Sequence, residues 1–336
     1  MNIVIVTCMR DEGPYCLEWI AHHRAAGVTD FLIFTHDCSD GTDALLDLLP
    51  GVTHVPFVPD PERSVQWQAM RLADRHDLVK SADWVLFMDC DEFLCLAPPL
   101  AGLGDLIVAL GSDVDAVALP WRLFGSSGLP EYSDAPVTER FTRAAPEGFN
   151  LPAGHFFKTL YRPSRFQKMG VHRPKMRPGV APVWALGGAQ RADEAFSAND
   201  NRINLFGLPV AHTARLNHYS VKSAAEFMVK RLRGLPNRST KSLDLGYWAE
   251  RNFNTVEDHA IAPMLPATQE NLKVLLRDPE VSRRHDASVR HHQVSFDSLM
   301  QDARAVQLLW HLGLLAGSAA PEPDALRTHL NRLSRL

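Results

Sequence analysis

The sequence predicts an α/β fold built on a largely parallel sheet, and three observations carry that prediction. Short apolar, β-branched runs alternate with helical patterns over the first 120 residues, as in successive βαβ units. Each of these runs ends in a polar loop, which is where open parallel sheets bind their ligands. From Ala224 onward the periodicity is mainly helical. The expected division is therefore an α/β part over 1–223, changing character near 125, and a helical extension over 224–336.

Ile3 to Thr7 reads as the first strand. Pro14 suits the first position of a helix that turns Leu17, Ile20 and Ala21 inward and stops at Gly27. Phe31 to Thr35 follows as a strand, then the polar turn His36 to Thr42 and a short helix bearing Leu45 and Leu48. Val52 to Phe57 makes a third strand. A helix from about Ser64 to Asp77, with Trp67, Met70 and Ala73 on one side, leads to Trp84–Met88, the most apolar strand.

Val114 to Leu119 continues the sheet. Beyond Phe124 the chain is rich in Pro and Gly, and 125–153 and 162–217 read as long loops with short strands such as Phe156 to Tyr161. Loops of that length in a compact domain are usually functional. In the tail, Leu308, Leu309, Leu312 and Leu315 form an amphipathic run. A last helix, about Asp324 to Leu336, carries Arg327, Arg332 and Arg335 on one side, a solvated face or else a contact for an anionic membrane surface.

With 336 residues and 46% apolar content, the chain can bury a sizeable core. Lys+Arg 35 against Asp+Glu 39 leaves a net charge of -4, so nucleic acid is not expected as a partner. All five cysteines fall within the first 95 residues without C-x-x-C spacing, so reduced thiols are expected rather than a disulfide framework or a zinc site. The first strand starts too close to Met1 for a signal peptide, and no apolar stretch approaches the ~20 residues that cross a bilayer. The expected location is the cytoplasm, with the membrane's inner face as an alternative.

Acidic chemistry concentrates at Asp89-Cys90-Asp91-Glu92. On an extended chain Asp89 and Asp91 point the same way and present two carboxylates to one hard cation, Mn²⁺ or Mg²⁺, with coordination positions left for phosphate oxygens. A solvated turn is the plain alternative, but it leaves three crowded acids with no cation to offset their repulsion. His22 and His23 are no chelate, because neighbours on a helix point about 100° apart.

The order of Cys8-Met9-Arg10-Asp11-Glu12, Glu18 to His23, Asp37 to Thr42, Asp83-Trp84 and Asp89 to Phe93 resembles the bacterial family 2-like glycosyltransferases, and also the family 92 glycosyltransferases, over roughly 1–125. Trp121 to Gly128, Leu216 to Ser223 and Tyr247 to Asn252 are similar to later segments of that group. The resemblance implies a GT-A fold, a Rossmann-like mixed sheet flanked by helices. It also implies transfer of a sugar from a nucleotide-diphosphate donor, UDP-sugar foremost, to a glycan or lipid-linked acceptor.

By the same resemblance Asp89 and Asp91 would hold the cation against the donor diphosphate, with His218 as a third ligand. Thr7, Arg10, Glu12 and Asp37 would contact the nucleotide sugar, Gln66 would reach the ribose or sugar, and Lys222 would neutralise phosphate charge. His155 and His172 are expected on the acceptor side. Asp40 fits a helix cap as readily as a ligand contact.

Most family 2-like enzymes invert, so inversion is implied, with a carboxylate deprotonating the acceptor hydroxyl. Glu139 is the first choice for that base, with Glu131, Asp134, Asp193 and Glu194 as alternatives. Two rival readings remain open. A sugar nucleotidyltransferase should carry a Gly-rich basic loop after the first strand, where Cys8 to Gly13 has one glycine. A non-catalytic carbohydrate- or protein-binding module would use the acids only as solvated turns.

Overall fold

The computed structural model describes residues 1–147, 151–234 and 243–333. The first strand, β1 (Ile3–Met9), shows why the opening sequence is apolar without alternation. Ile3, Ile5 and Met9 enter one core, while Val4, Val6 and Cys8 enter the other. A strand covered on both faces needs apolar residues at every position.

Helix α1 (Gly13–Ala25) is followed by β2 (Asp30–Thr35), α2 (Thr42–Leu46), β3 (Val52–Pro56), α3 (Val65–Ala73), α4 (Asp77–Ser81) and β4 (Trp84–Phe87). The helix expected from Ser64 to Asp77 thus ends at Ala73, and α4 starts only at Asp77. Gln66, Ala69, Met70 and Ala73 form the buried side of α3, whereas Trp67 is 43% exposed. After a tight turn comes β5 (Glu92–Leu96), a strand not anticipated from the sequence, then α5 (Leu103–Leu110) and β6 (Ala116–Leu123).

The middle of the chain holds α6 (Val137–Arg140), β7 (Arg143–Ala144), β8 (Phe157–Tyr161), β9 (Phe166–Lys168), β10 (Lys175–Met176), β11 (Trp184–Leu186), α7 (Glu194–Ser197) and β12 (Ala214–His218). The main sheet runs β3-β2-β1-β4-β8-β6-β12-β5, with β11 also pairing with β6. β1 to β4 are mutually parallel where they pair, β8 is antiparallel to both neighbours, and β5 is antiparallel to β12. The sheet is therefore mixed, with helices on both faces.

The last third comprises α8 (Ala224–Arg233), α9 (Leu245–Ala249), β13 (Val256–Glu257), α10 (Leu265–Leu276), α11 (Pro279–Leu299), α12 (Ala303–Leu314) and α13 (Pro323–Leu333). It is mainly helical and lies directly on the sheet-bearing part. Asn271 Nδ2 donates to the Ala21 carbonyl at 3.2 Å, and Thr268 Oγ1 is 3.0 Å from His22 Nδ1. A Cβ on Gly13 would come within 2.5 Å of Ser288 Cβ, so glycine is required where α1 meets α11. With the sheet beneath and α10 and α11 above, α1 buries Cys16, Glu18, Trp19, His22 and His23 as well as the expected Leu17, Ile20 and Ala21.

Four of the five thiols are buried and all five are free. Among the described residues no helix is long and apolar enough to cross a membrane. Arg335 of the expected basic helix lies outside the described residues. Arg327 within it pairs with Asp324 at 3.1 Å on a solvated face.

Candidate active site

The parallel pairing of β1 with β2 brings their C-terminal loops side by side, and carboxylates clip them together. Asp11 Oδ1 accepts from Ser39 N at 2.6 Å and Asp40 N at 3.2 Å. Asp40 Oδ2 accepts from Gly13 N at 2.9 Å, while its Oδ1 accepts from Thr42 N at 2.8 Å. Asp40 is thus a structural clip between the two loops. Asp11 and Asp37 take φ of 51° and 48°, a left-handed conformation that aspartate tolerates better than bulkier residues.

The acidic motif occupies the turn between β4 and β5 instead of an extended segment, so its two aspartates take separate partners. Asp89 accepts from Gln66 Nε2 and Lys158 Nζ, each at 2.8 Å. Lys158 is fully buried and also stands 3.7 Å from Glu92 Oε1. Burial pushes the Glu92 carboxyl well above its ordinary range, with Lys158 opposing.

Asp91 faces the other way. The antiparallel pairing of β5 with β12 sets His218 opposite Glu92 in register, and Tyr219 N donates to the Asp91 carbonyl at 2.8 Å. His218 Nε2 consequently lies 3.5 Å from Asp91 Oδ1, while Lys230 Nζ lies 2.7 Å from Asp91 Oδ2. Burial would raise the Asp91 carboxyl, but Lys230 and then His218 hold it well below the usual carboxylate range. Burial lowers His218, with Asp91 opposing, so the imidazole is neutral and able to ligate a metal.

A carboxylate and a neutral imidazole with converging atoms suit Mn²⁺ or Mg²⁺, and His218 Nδ1 is buried without a hydrogen-bond partner. Asp91 and His218 are the two residues that fit such an ion. Asp89, the other expected ligand, stands on the same turn with its oxygens held by Gln66 and Lys158. Among the described residues no group of three or more His, Cys, Asp or Glu side chains forms a ready metal cluster.

Beside this pair opens a cavity of about 170 Å³, walled by both loops, by α8 and by α11. Arg10, Lys222, Lys230 and Arg233 line it, with His291 and His292 from α11. Lys222 is buried with φ of 55°, and its Nζ sits 4.2 Å from the Tyr15 ring centroid. Its pKa is lowered by burial, with Glu12 opposing. A buried ammonium facing a cavity gains most from an anionic ligand.

The remaining expectations divide. Thr7 is buried beneath the loops with Oγ1 unpartnered, and Asp37 is exposed at the end of β2, 3.0 Å from His36. Glu12 pairs with Arg233 at 2.5 Å, and Arg233 also bonds the Arg10 and Asp11 carbonyls. Gln66, expected on the ribose or sugar, is buried and spent on Asp89. Glu139, the first choice for the base, stands apart from these residues. It is exposed on α6 and accepts from Gln269 of α10 at 2.7 Å, so it does not join the Asp91 group.

Of the alternative bases, Glu131, Asp134 and Glu194 are exposed, and Asp193 caps α7. His155 packs edge-on against Phe206 at 5.2 Å, and His172 stacks on Phe156 at 5.0 Å. The segment Gly125 to Gly128 is structural. Asn252 and Asn254 accept from Ser126 N and Ser127 N at 2.8 Å each, which joins it to the segment near Tyr247.

Sequence reasoning missed Lys230 and Arg233. The signal was available, because Ser223 and Glu226 form a capping box that fixes the start of α8. Glu226, Lys230 and Arg233 then recur at the spacing of one helical face.

Comparison with known proteins adds an independent line. The model of the family described as Glycosyltransferase family 92 matches residues 6–186. A glycosyltransferase family 92 protein of Ricinus communis is 28% identical over 194 residues, covering 54% of this chain and 33% of its own length. Another, from Oryza sativa subsp. japonica, is 26% identical over 156 residues, covering 44% and 26%. The chain thus spans a third or less of the curated relatives it matches.

Solved structures with partial likeness include glucosyl-3-phosphoglycerate synthase from Mycobacterium tuberculosis, a complex with Mn²⁺, UDP and phosphoglyceric acid. It is 16% identical, with 36% of this chain and 43% of that chain covered and a TM-score of 0.26. An active-site mutant of LgtC is 14% identical, with 66% and 87% covered and a TM-score of 0.30. Likenesses of that extent carry no argument about this site. The match to the family model covers more than half of the sequence, and the chain belongs to glycosyltransferase family 92.

Proposed function

We propose that this protein is a metal-dependent glycosyltransferase that takes a sugar from a nucleotide-diphosphate donor, a UDP-sugar foremost, and passes it to a hydroxyl of a glycan or lipid-linked acceptor. The observation that carries the reading is the buried Asp91–His218 pair, 3.5 Å apart, which Lys230 joins to a cavity whose walls also carry Arg10, Lys222 and Arg233. A pyrophosphate needs compensating charge on both sides as it departs. Asp91 and His218 would hold a divalent ion, which when bound offsets charge developing on the leaving group. Lys222 and Lys230 supply fixed positive charge from the cavity wall. Gln66 and Lys158 lock Asp89 and so fix the turn on which Asp91 sits.

Inversion at the anomeric carbon belongs to the same proposal, and the ¹H NMR spectrum of the first-formed product tests it. A product of opposite configuration supports inversion, and retained configuration refutes it. The donor reading is tested by titration calorimetry of UDP with and without Mn²⁺. Binding that requires Mn²⁺ and disappears in Asp91→Asn supports it. Binding indifferent to both the ion and the substitution sinks it and favours a metal-free binding module.

A further inference from the structure

A second cavity, of about 200 Å³, opens beside Trp121 near the end of β6, with His155, Leu205, Leu208, Val210 and Arg215 among its walls. Trp121 is only partly buried, and its ring connects two places. It forms part of the cavity wall and also lies 4.2 Å, centroid to centroid, from His218, with His172 and Phe156 each at 5.4 Å. One indole therefore spans the distance between this cavity and the imidazole that faces Asp91. Among the described residues its Nε1 is buried with no hydrogen-bond partner.

Apolar walls with a few converging polar groups are the usual make-up of a small-molecule site. The face of an indole is electron-rich and flat, so it attracts the C–H bonds on the apolar side of a pyranose. His155 lines the cavity wall with Arg215, whose guanidinium is held by Asp258 and Asn217. We infer that this cavity is the acceptor subsite, that it takes a pyranose ring, and that Trp121 is the platform on which the ring stacks. The inference rests on the proposed donor reading in one respect: it needs His218 at the reacting centre, so that a sugar on Trp121 lies next to the donor.

The test uses methyl glycosides of glucose, galactose, mannose and N-acetylglucosamine as probes, in saturation-transfer NMR with irradiation of the aromatic resonances, with and without UDP and Mn²⁺. In the wild type at least one glycoside is expected to take up saturation mainly through the ring protons of one face. Trp121→Phe keeps an aromatic face and is expected to retain the effect at several-fold weaker affinity, having a smaller ring. Trp121→Leu fills the space without an aromatic face and is expected to lose at least four-fifths of it, about a fivefold reduction of the kind removal of an aromatic contact produces.

Equal saturation in Trp121→Leu, or none from any glycoside in the wild type, overturns the inference. Calorimetry of UDP and Mn²⁺ on the same wild-type sample separates this from failure of the donor reading. Metal-dependent UDP binding without glycoside contact refutes the acceptor subsite alone. Glycoside contact without UDP binding refutes the donor reading and leaves the sugar platform standing.

Discussion

Lys230 Nζ lies 2.7 Å from Asp91 Oδ2 and 2.8 Å from the Ser220 carbonyl, so an ammonium of the protein sits on the carboxylate that would hold the ion. Unit charges this close repel by about 4 kcal/mol per charge at the effective dielectric of a partly buried site. Lys230 therefore weakens metal binding in the nucleotide-free protein. Lys230→Met is expected to tighten Mn²⁺ binding about tenfold, read by electron paramagnetic resonance of free Mn²⁺, while weakening UDP binding. Unchanged or weaker Mn²⁺ affinity contradicts this role.

The two aspartates of the acidic turn should behave differently. Asp91→Asn removes a ligand and is expected to lower Mn²⁺ affinity about 100-fold or more, about 2.7 kcal/mol. Asp89→Asn leaves the ion's own ligands in place but loosens the turn held by Gln66 and Lys158. Its effect on Mn²⁺ should be about tenfold, the lower end of what a supporting hydrogen-bond partner contributes. Equal losses measured by calorimetry would show both carboxylates on the ion.

Arg140 and Glu226 form a two-pronged, almost fully buried pair at 2.8 and 3.0 Å. Burial would raise the Glu226 carboxyl, but the bonds and charge of Arg140 hold it below its ordinary value. A depressed carboxyl stabilises the fold above its unfolded pKa, and that contribution is lost as pH falls through the lower folded value. Arg140→Met leaves Glu226 buried and unpaired and is expected to cost about 3 to 5 kcal/mol at neutral pH. Chemical denaturation of both proteins should show the deficit shrinking as pH falls, beginning above the ordinary carboxylate range, because burial without Arg140 raises the stranded carboxyl of the variant and it takes its proton there.

His22 has its pKa lowered to about 4 by burial, with its bond to the Leu94 carbonyl opposing. The unfolded chain binds this proton near pH 6.5 and the folded one does not, so the contribution to stability is full above pH 6.5. It declines as pH falls from there to about 4. The drop attributable to His22 is roughly 3 kcal/mol. His22→Gln can still reach Leu94 and Thr268 without titrating, and denaturation midpoints across this range should flatten by that amount. An unchanged slope would place the acid sensitivity elsewhere.

Much of this was legible in the sequence because single-residue chemistry dictated it. Both faces of β1 are buried, so Ile3 to Val6 read as a strand without ambiguity, and the loops after β1 and β2 do come together at one cavity. His218 was reachable through resemblance and stands against Asp91 because β5 pairs with β12. The strand β5 itself was hidden, since its apolar run follows three acids without a turn signal.

That Asp89 and Asp91 take separate partners was not legible, as alternation along a strand says nothing about a turn. Glu139 was chosen by its position in a loop after the sheet, and its actual partner, Gln269, comes from α10. Contacts supplied by the distant helices leave no periodic mark on the segments they touch.

The most direct measurement is the anomalous scattering of manganese in a crystal of this protein soaked with Mn²⁺ and UDP. The account expects a peak bonded to an Asp91 carboxylate oxygen and to His218 Nε2, with diphosphate oxygens completing its coordination. A peak held by Asp89 alone, or no peak between Asp91 and His218 while UDP fills the cavity, would contradict it.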